Sequence, residues 1–279
     1  MKRIGLTVIL SLLLLINASY AQRKISFPFS GGYDEEAEIQ IGIQYNFLKQ
    51  DYQLTLKNNW QVLYGKDTDP QELTYLGEIK AVSSKSGHGF SFGIPVDFKL
   101  SDIVYANFTP TFAVINGLSI RYTSTNPEIA PIVRKPKQVV DDLYGDNFTA
   151  FEFPVALKLR SEEKKVFKTD VRYRGYLLGG IRYSRWAGAE SYYATASNSI
   201  DSQSVYSPSL VLRNDYIAWE AGLGFDIYFS FFKMSPEIRF SQSVNNIFDN
   251  NHLLAKDNKF MKPLDKGLIR NVYFSLIFQ

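Results

Sequence analysis

Glu38-Ile39-Gln40-Ile41-Gly42-Ile43-Gln44-Tyr45-Asn46-Phe47 alternates residue by residue. Ile39, Ile41, Ile43, Tyr45 and Phe47 fall on one side, and Gln40, Gly42, Gln44 and Asn46 on the other. A period of two is a strand signature. Wound as a helix, the same apolar set would scatter around the axis and give no face. Extended to Leu48, this is the first of about eight such segments, close to the smallest strand count of a membrane barrel. The others run over about His88–Leu100, Val104–Tyr122, Thr149–Arg160, Val171–Trp186, Asp215–Tyr228, Phe232–Ser241 and Gly267–Phe278.

The gaps between segments alternate as well. Long polar stretches follow the odd segments: Lys49–Ser86, Thr123–Asn147, Gly188–Arg213 and Val244–Lys266. Shorter ones follow the even segments, at Ser101-Asp102, Ser161–Asp170 and near Ser230-Phe231. Outer-membrane barrels have this asymmetry of short periplasmic turns and long extracellular loops. The chain therefore reads as all-β: a transmembrane antiparallel up-and-down β-barrel of about eight strands over residues 38–279, with long extracellular loops and both termini periplasmic. A soluble β-sandwich with one polar face also alternates, and a lipocalin-like barrel closes too. Neither needs regular loop asymmetry, a leader and an aromatic final strand together.

Two segments are irregular. Val104–Tyr122 is longer than a bilayer requires, so its end is expected to project as a raised rim, with Pro110 and Gly117 marking a bulge or bend. Val104, Ala106, Phe108, Phe112, Val114, Leu118, Ile120 and Tyr122 share one register there. In the fifth segment Leu177, Ile181 and Tyr183 align with Gly175 and Gly179, while Tyr176 and Leu178 point the other way. Gly179, Gly180, Gly222 and Gly224 lie within strands and read as small residues that let a narrow barrel close beside Tyr and Arg side chains.

Residues 1–21 read as a signal peptide. Lys2 and Arg3 precede the apolar run Leu6–Ile16, and Ser19-Tyr20-Ala21 offers small residues for cleavage. That run is shorter than the ~18–20 residues of a spanning helix. Residues 22–37, with Phe-Pro-Phe and Gly-Gly, read as an irregular periplasmic lead. The chain has no cysteine, which excludes disulfides, thiolate metal sites, a thiol nucleophile and a lipidated N-terminal Cys. Aromatics make up 15% of residues, with 21 Phe and 18 Tyr, which suits strands at a membrane interface. A net charge of +3 gives no argument for nucleic acid.

The charges orient the faces. Lys158, Arg182, Glu220, Asp226, Lys233, Glu237 and Arg239 fall in the polar register, as do Glu152 and Arg160 of the fourth segment. Facing lipid at the midplane, an Arg or Lys costs about 2–4 kcal/mol. The first seven are therefore expected to face inward as a lumen charge network, paired because an unpaired buried charge is costly. An eight-stranded barrel has just enough interior for side chains, so the lumen is expected to be plugged. Arg270 shares the register of Val272 and Phe274, and fits only near the extracellular interface.

No catalytic motif is present, so no enzyme activity, cofactor or metal is expected. His88 and His252 both fall towards the expected extracellular end and are a weak metal pair. Asp249, Asn250, Asn251 and Asp257 lack the spacing of a calcium loop and read as solvated. Asn107-Phe-Thr and Asn147-Phe-Thr match glycosylation sequons that arise easily by chance.

The segment Gly222-Leu-Gly-Phe-Asp-Ile-Tyr-Phe-Ser-Phe-Phe-Lys-Met-Ser-Pro-Glu-Ile-Arg239 resembles the PorT family, called SprT in gliding bacteria. So do the ending Arg270-Asn-Val-Tyr-Phe-Ser-Leu-Ile-Phe-Gln279, the stretch Phe151–Lys158 and Leu178-Gly-Gly-Ile-Arg182. PorT-like proteins belong to a broader group of Bacteroidetes outer-membrane barrels. The resemblance implies a non-enzymatic component of protein export by the type IX secretion system, supporting gliding motility where present. Its implied partners are outer-membrane lipid and other type IX secretion proteins, without nucleic acid. The alternative is a generic small outer-membrane barrel with a structural or adhesion role.

Overall fold

The computed structural model describes residues 24–28, 37–64, 75–137, 148–165, 171–201, 209–256 and 258–279. The signal peptide expected over 1–21 lies outside the described residues, as do Asn147 and Asp257. Numbered in chain order, the strands are β1 Ile25–Ser26, β2 Ile39–Ile41, β3 Ile43–Leu56, β4 Ile79–Lys85, β5 Gly87–Gly93, β6 Val96–Lys99, β7 Val104–Phe108, β8 Thr111–Asn116, β9 Ser119–Ser124, β10 Ile132–Arg134, β11 Phe148–Arg160, β12 Lys164–Lys165, β13 Arg172–Ala187, β14 Asp215–Tyr228, β15 Lys233–Ser243 and β16 Leu264–Phe278. The helices are α1 Trp60–Tyr64, α2 Ala189–Asp201 and α3 Leu253–Lys256.

Eight staves form a closed ring. β2 with β3 makes the first, β6 with β5 the second, β7 with β8 the third, and β11, β13, β14, β15 and β16 the rest. Each stave pairs antiparallel with the next, and β16 returns to β3 from Phe278↔Ile43 up to Leu264↔Leu56. Full closure leaves no open edge, as a lipid environment demands of a sheet.

The breaks within staves have local causes. Proline donates no ladder hydrogen bond, and Pro95 and Pro110 stand where β5 gives way to β6 and β7 to β8. Their carbonyls still accept: Gly42 N–H donates to Pro95 at 2.9 Å and Ile94 N–H to Pro110 at 3.1 Å. Above β8, Gly117 takes a φ of +76°, a backbone region that suits glycine, and the third stave bends off the barrel there. Its continuation, β9, sits between β10 and β4 in a separate three-stranded sheet.

The two faces of each stave differ in a way that reverses along its length. Over Ile39–Phe47 the odd residues face out and the even ones in, and this nine-residue run matches the ~9–11 residues of a tilted spanning strand. Phe90 and Phe92, Phe151–Leu159, Leu177 and Ile181, Ile217–Phe225, and Phe274 continue an apolar outer band around the barrel. At its loop end the outward positions become Lys49, His88, Asn116, Thr149, Arg185, Asp215, Gln242 and Arg270. Inside, the change is the opposite. Gln44, Asn46, Arg182, Glu220 and Arg239 line the banded part, while Tyr52, Ile115, Phe148, Trp186 and Ile269 line the staves above it.

The loop end is a folded cap. Leu210, Leu212, Ile247, Phe248, Leu254, Phe260 and Met261 from the connecting segments bury against the inward side chains of the extended staves and against Ile79, Ile120 and Tyr122. Four expectations change here. The first strand continues past Leu48 to Leu56, because its inward Tyr52 packs in the cap while outward Gln53 and Thr55 stand clear of the band. Leu118, Ile120 and Tyr122, placed by parity with the lipid-facing residues of the third strand, are buried in the cap after the bend at Gly117. The stretch Gly188–Arg213 is not wholly loop: Gly188 turns the chain at φ +76°, and α2 follows, anchored by Tyr193. The Tyr193 hydroxyl donates to the Leu210 carbonyl at 3.0 Å. In the lead, Ile25–Ser26 pairs in parallel with Ile39–Gln40.

Candidate functional site in the barrel interior

The inward residues of the banded part form two ionic clusters. The one nearer the turn end centres on two acids, Asp97 and Asp226. Lys158 Nζ lies 2.9 Å from Asp97, and Arg160 reaches both acids, at 3.4 Å from Asp97 and 3.0 Å from Asp226. Lys233 stands 4.0 Å from Asp226 and donates to Gln40 Oε1 at 2.8 Å. Asn107, Ser235 and Gln279 donate further hydrogen bonds to the two carboxylates. The second cluster is nearer the middle. Arg182 bridges Glu152 and Glu220 at 2.5 and 2.7 Å, and Arg239 bridges Glu220 and Glu237 at 2.7 and 2.8 Å. Tyr273 donates to Glu152 and Tyr176 to Glu237, each at 2.9 Å.

The clusters connect. Lys158 Nζ lies over the Tyr176 ring, 5.1 Å from its centroid, and that ring's hydroxyl is bound to Glu237. Five acids and five bases take part: Asp97, Glu152, Glu220, Asp226 and Glu237 against Lys158, Arg160, Arg182, Lys233 and Arg239. Each side chain in these pairs is at most 4% exposed, so the interior at this level is filled and electrically balanced. Balance matters because one unpaired ion in such a place costs several kcal/mol.

Glycines make the room. A Cβ on Gly224 would run into the Tyr176 hydroxyl, and one on Gly222 would press on the Arg239 backbone and Cβ. The bulky, hydrogen-bonding members of the network therefore sit against the smallest wall positions.

The structure puts all seven residues of the expected network, Lys158, Arg182, Glu220, Asp226, Lys233, Glu237 and Arg239, in this interior. It adds three. Glu152 and Arg160 carry the inward parity of their strand. Asp97 lies between the outward Val96 and Phe98, so parity alone marks it. Arg270 faces out at the loop-end border of the apolar band, where its Nε donates to Gln242 Oε1 at 2.8 Å.

The histidines do not meet in one site. His88 lies on the outer wall, stacked on Phe47 at 6.1 Å, whereas His252 packs in the cap beside Tyr193 at 5.7 Å. Among the described residues no group of three His, Cys, Asp or Glu could hold a metal ion. No helix among them is long and apolar enough to cross a membrane.

A closed antiparallel ring with an apolar outer band and a paired ionic interior is a membrane-spanning β-barrel of the outer-membrane type. No family model matches the chain, and no curated protein matches it. Among solved structures, the chain is similar to Neisserial surface protein A (NspA), at 9% identity and a TM-score of 0.34 over 85% of this chain and 95% of that one. It is also similar to Ail, the attachment invasion locus protein of Yersinia pestis, at 11% identity and a TM-score of 0.30 over 85% and 96%. The ring of pairings and the two-faced staves define the fold without them.

Proposed function

We propose that this protein is a non-enzymatic outer-membrane barrel that acts as a structural or adhesive element through its folded loop-end cap, and that the cap faces outside with both termini periplasmic. One observation carries this reading: the lumen is sealed twice, by the balanced ionic clusters and by the apolar cap above them. A diffusion porin of larger barrels keeps an aqueous channel. Here the interior leaves a solute no path, so the working surface is external. Loops that fold into a shared apolar core present a fixed surface.

A second reading follows from the PorT resemblance: an accessory barrel of type IX secretion whose cap or lead contacts other secretion proteins. The residues that carry the resemblance lie on a continuous wall, β11–β13–β14–β15–β16, which supplies Glu152, Lys158, Arg160, Arg182, Glu220, Asp226, Lys233, Glu237 and Arg239 to the interior.

Deleting the gene separates the two. Normal cargo export with weakened surface attachment or a leakier envelope supports the first reading. Cargo trapped in the periplasm overturns it in favour of the second.

A further inference from the structure

Arg270 is the strongly basic residue nearest the apolar band in the outward register of the final strand, and its surroundings give it a use. It faces Asp51 across the β16–β3 ladder, yet forms no ion pair with it; its guanidinium turns to Gln242 instead. The Asp51 carboxylate accepts a hydrogen bond from Ser86 Oγ at 2.6 Å. Two residues nearer the band, Lys49 faces out, directly opposite His88 on β5. Directly opposed residues of antiparallel strands have Cβ atoms about 4.5–5.5 Å apart. Phe47 stacks beneath His88 and fixes its ring. Lys85, also exposed, precedes β5 by two residues.

The opposite wall, β11–β13–β14, differs at the same height. There Arg185 faces Asp215 across the ladder and pairs with Glu190 at 3.8 Å, and exposed Arg213 precedes β14 by two residues. Above the apolar band the described residues of one wall carry an excess of bases, with Lys49, Lys85, Lys266, Arg270 and His88 against Asp51 and Asp265. The other is balanced, with Arg185 and Arg213 against Asp215 and Glu190. The basic wall begins where hydrocarbon ends, which is the level of lipid headgroups.

We propose that the outer wall formed by β16, β3 and β5 binds the phosphate of an anionic glycolipid headgroup, with Lys49 and Arg270 as charge partners and His88 as a hydrogen-bond donor beside them. The lipid is an outer-leaflet one, so this rests on the cap facing outside. The apolar band below, with Phe47, Phe90 and Phe92, lies against its acyl chains.

The test titrates the detergent-purified full chain with diphosphorylated lipid A and counts bound lipid by native mass spectrometry. Near a membrane surface each basic residue strengthens binding by about fivefold, so the Lys49→Ala/Arg270→Ala double variant should bind lipid A about thirtyfold more weakly. Arg185→Ala should bind like the wild type, and Lys49→Arg should keep its affinity. Dephosphorylated lipid A should bind as weakly as the double variant does, and millimolar inorganic phosphate should not displace the lipid. Equal binding by wild type and double variant would overturn the proposal, as would equal loss in Arg185→Ala or displacement by inorganic phosphate. All variants should retain heat-modifiable migration, which reports the barrel itself. Orientation is read separately, by protease cleavage of the cap on intact cells. Cleavage absent from intact cells but present in opened ones would fail the orientation without touching the detergent result.

Discussion

The banded part of the barrel and the cap above it are built from the same strands with the same period of two, yet their faces are exchanged. In β3, Tyr45 and Phe47 face out and Gln44 and Asn46 face in; a few residues on, Lys49 and Gln53 face out and Tyr52 faces in. The exchange follows the solvent. Where lipid surrounds the staves, the interior must take the polar groups. Where water surrounds them, the interior takes the apolar ones. The two halves consequently seal by different physics: a charge-balanced hydrogen-bonded plug below and an apolar core above.

That contrast makes distinct predictions. Replacing Arg182 with Met should have the largest effect, because it leaves Glu152 and Glu220 without their shared cation. The expected cost is about 3–5 kcal/mol of barrel stability, read as a lower temperature at which the heat-modifiable band shifts. Adding Glu152→Gln, which returns the interior to four acids against four bases and leaves Glu220 with Arg239, should recover much of it; no recovery would show that balance is not what the cluster needs. Phe260→Ala should act on the other half. Removing a buried Phe costs about 3 kcal/mol or more, but here the loss should fall on the cap. Its loops should become protease-sensitive while the barrel band still shifts at the wild-type temperature. A joint loss would merge the two regions into one cooperative unit. Gly224→Ala, which pushes on Tyr176, should cost about 1–3 kcal/mol through overpacking, seen in urea unfolding. Arg270→Ala should be smallest, below about 1 kcal/mol, since its side chain is exposed and, among the described residues, bonded only to Gln242.

The same contrast explains how much was legible in the sequence. Alternation and gap lengths mark the staves, and β14 runs over Asp215–Tyr228, the same residues that the alternation delimits. Parity also carries the interior charges, including Asp97, which stands between outward Val96 and Phe98. What parity lacks is the height at which its meaning reverses. Leu118, Ile120 and Tyr122 share the parity of outward Phe112, but they lie beyond the band and beyond the turn at Gly117, where an apolar residue belongs inside. The extension of β3 to Leu56 was obscured for the same reason, because Lys49, Asp51 and Gln53 look like loop when they are the watered face of a strand. The helix α2 carries Ser, Tyr and Asn, residues of middling helix propensity, and its anchor is tertiary: Tyr193 is held by the Leu210 carbonyl.

The most direct test of the sealed interior is conductance of the purified chain in a planar lipid bilayer. A barrel closed by both plugs should give no steady ohmic current, either as the wild type or in Phe260→Ala, where the ionic plug persists. A stable open channel in the wild type would contradict the account.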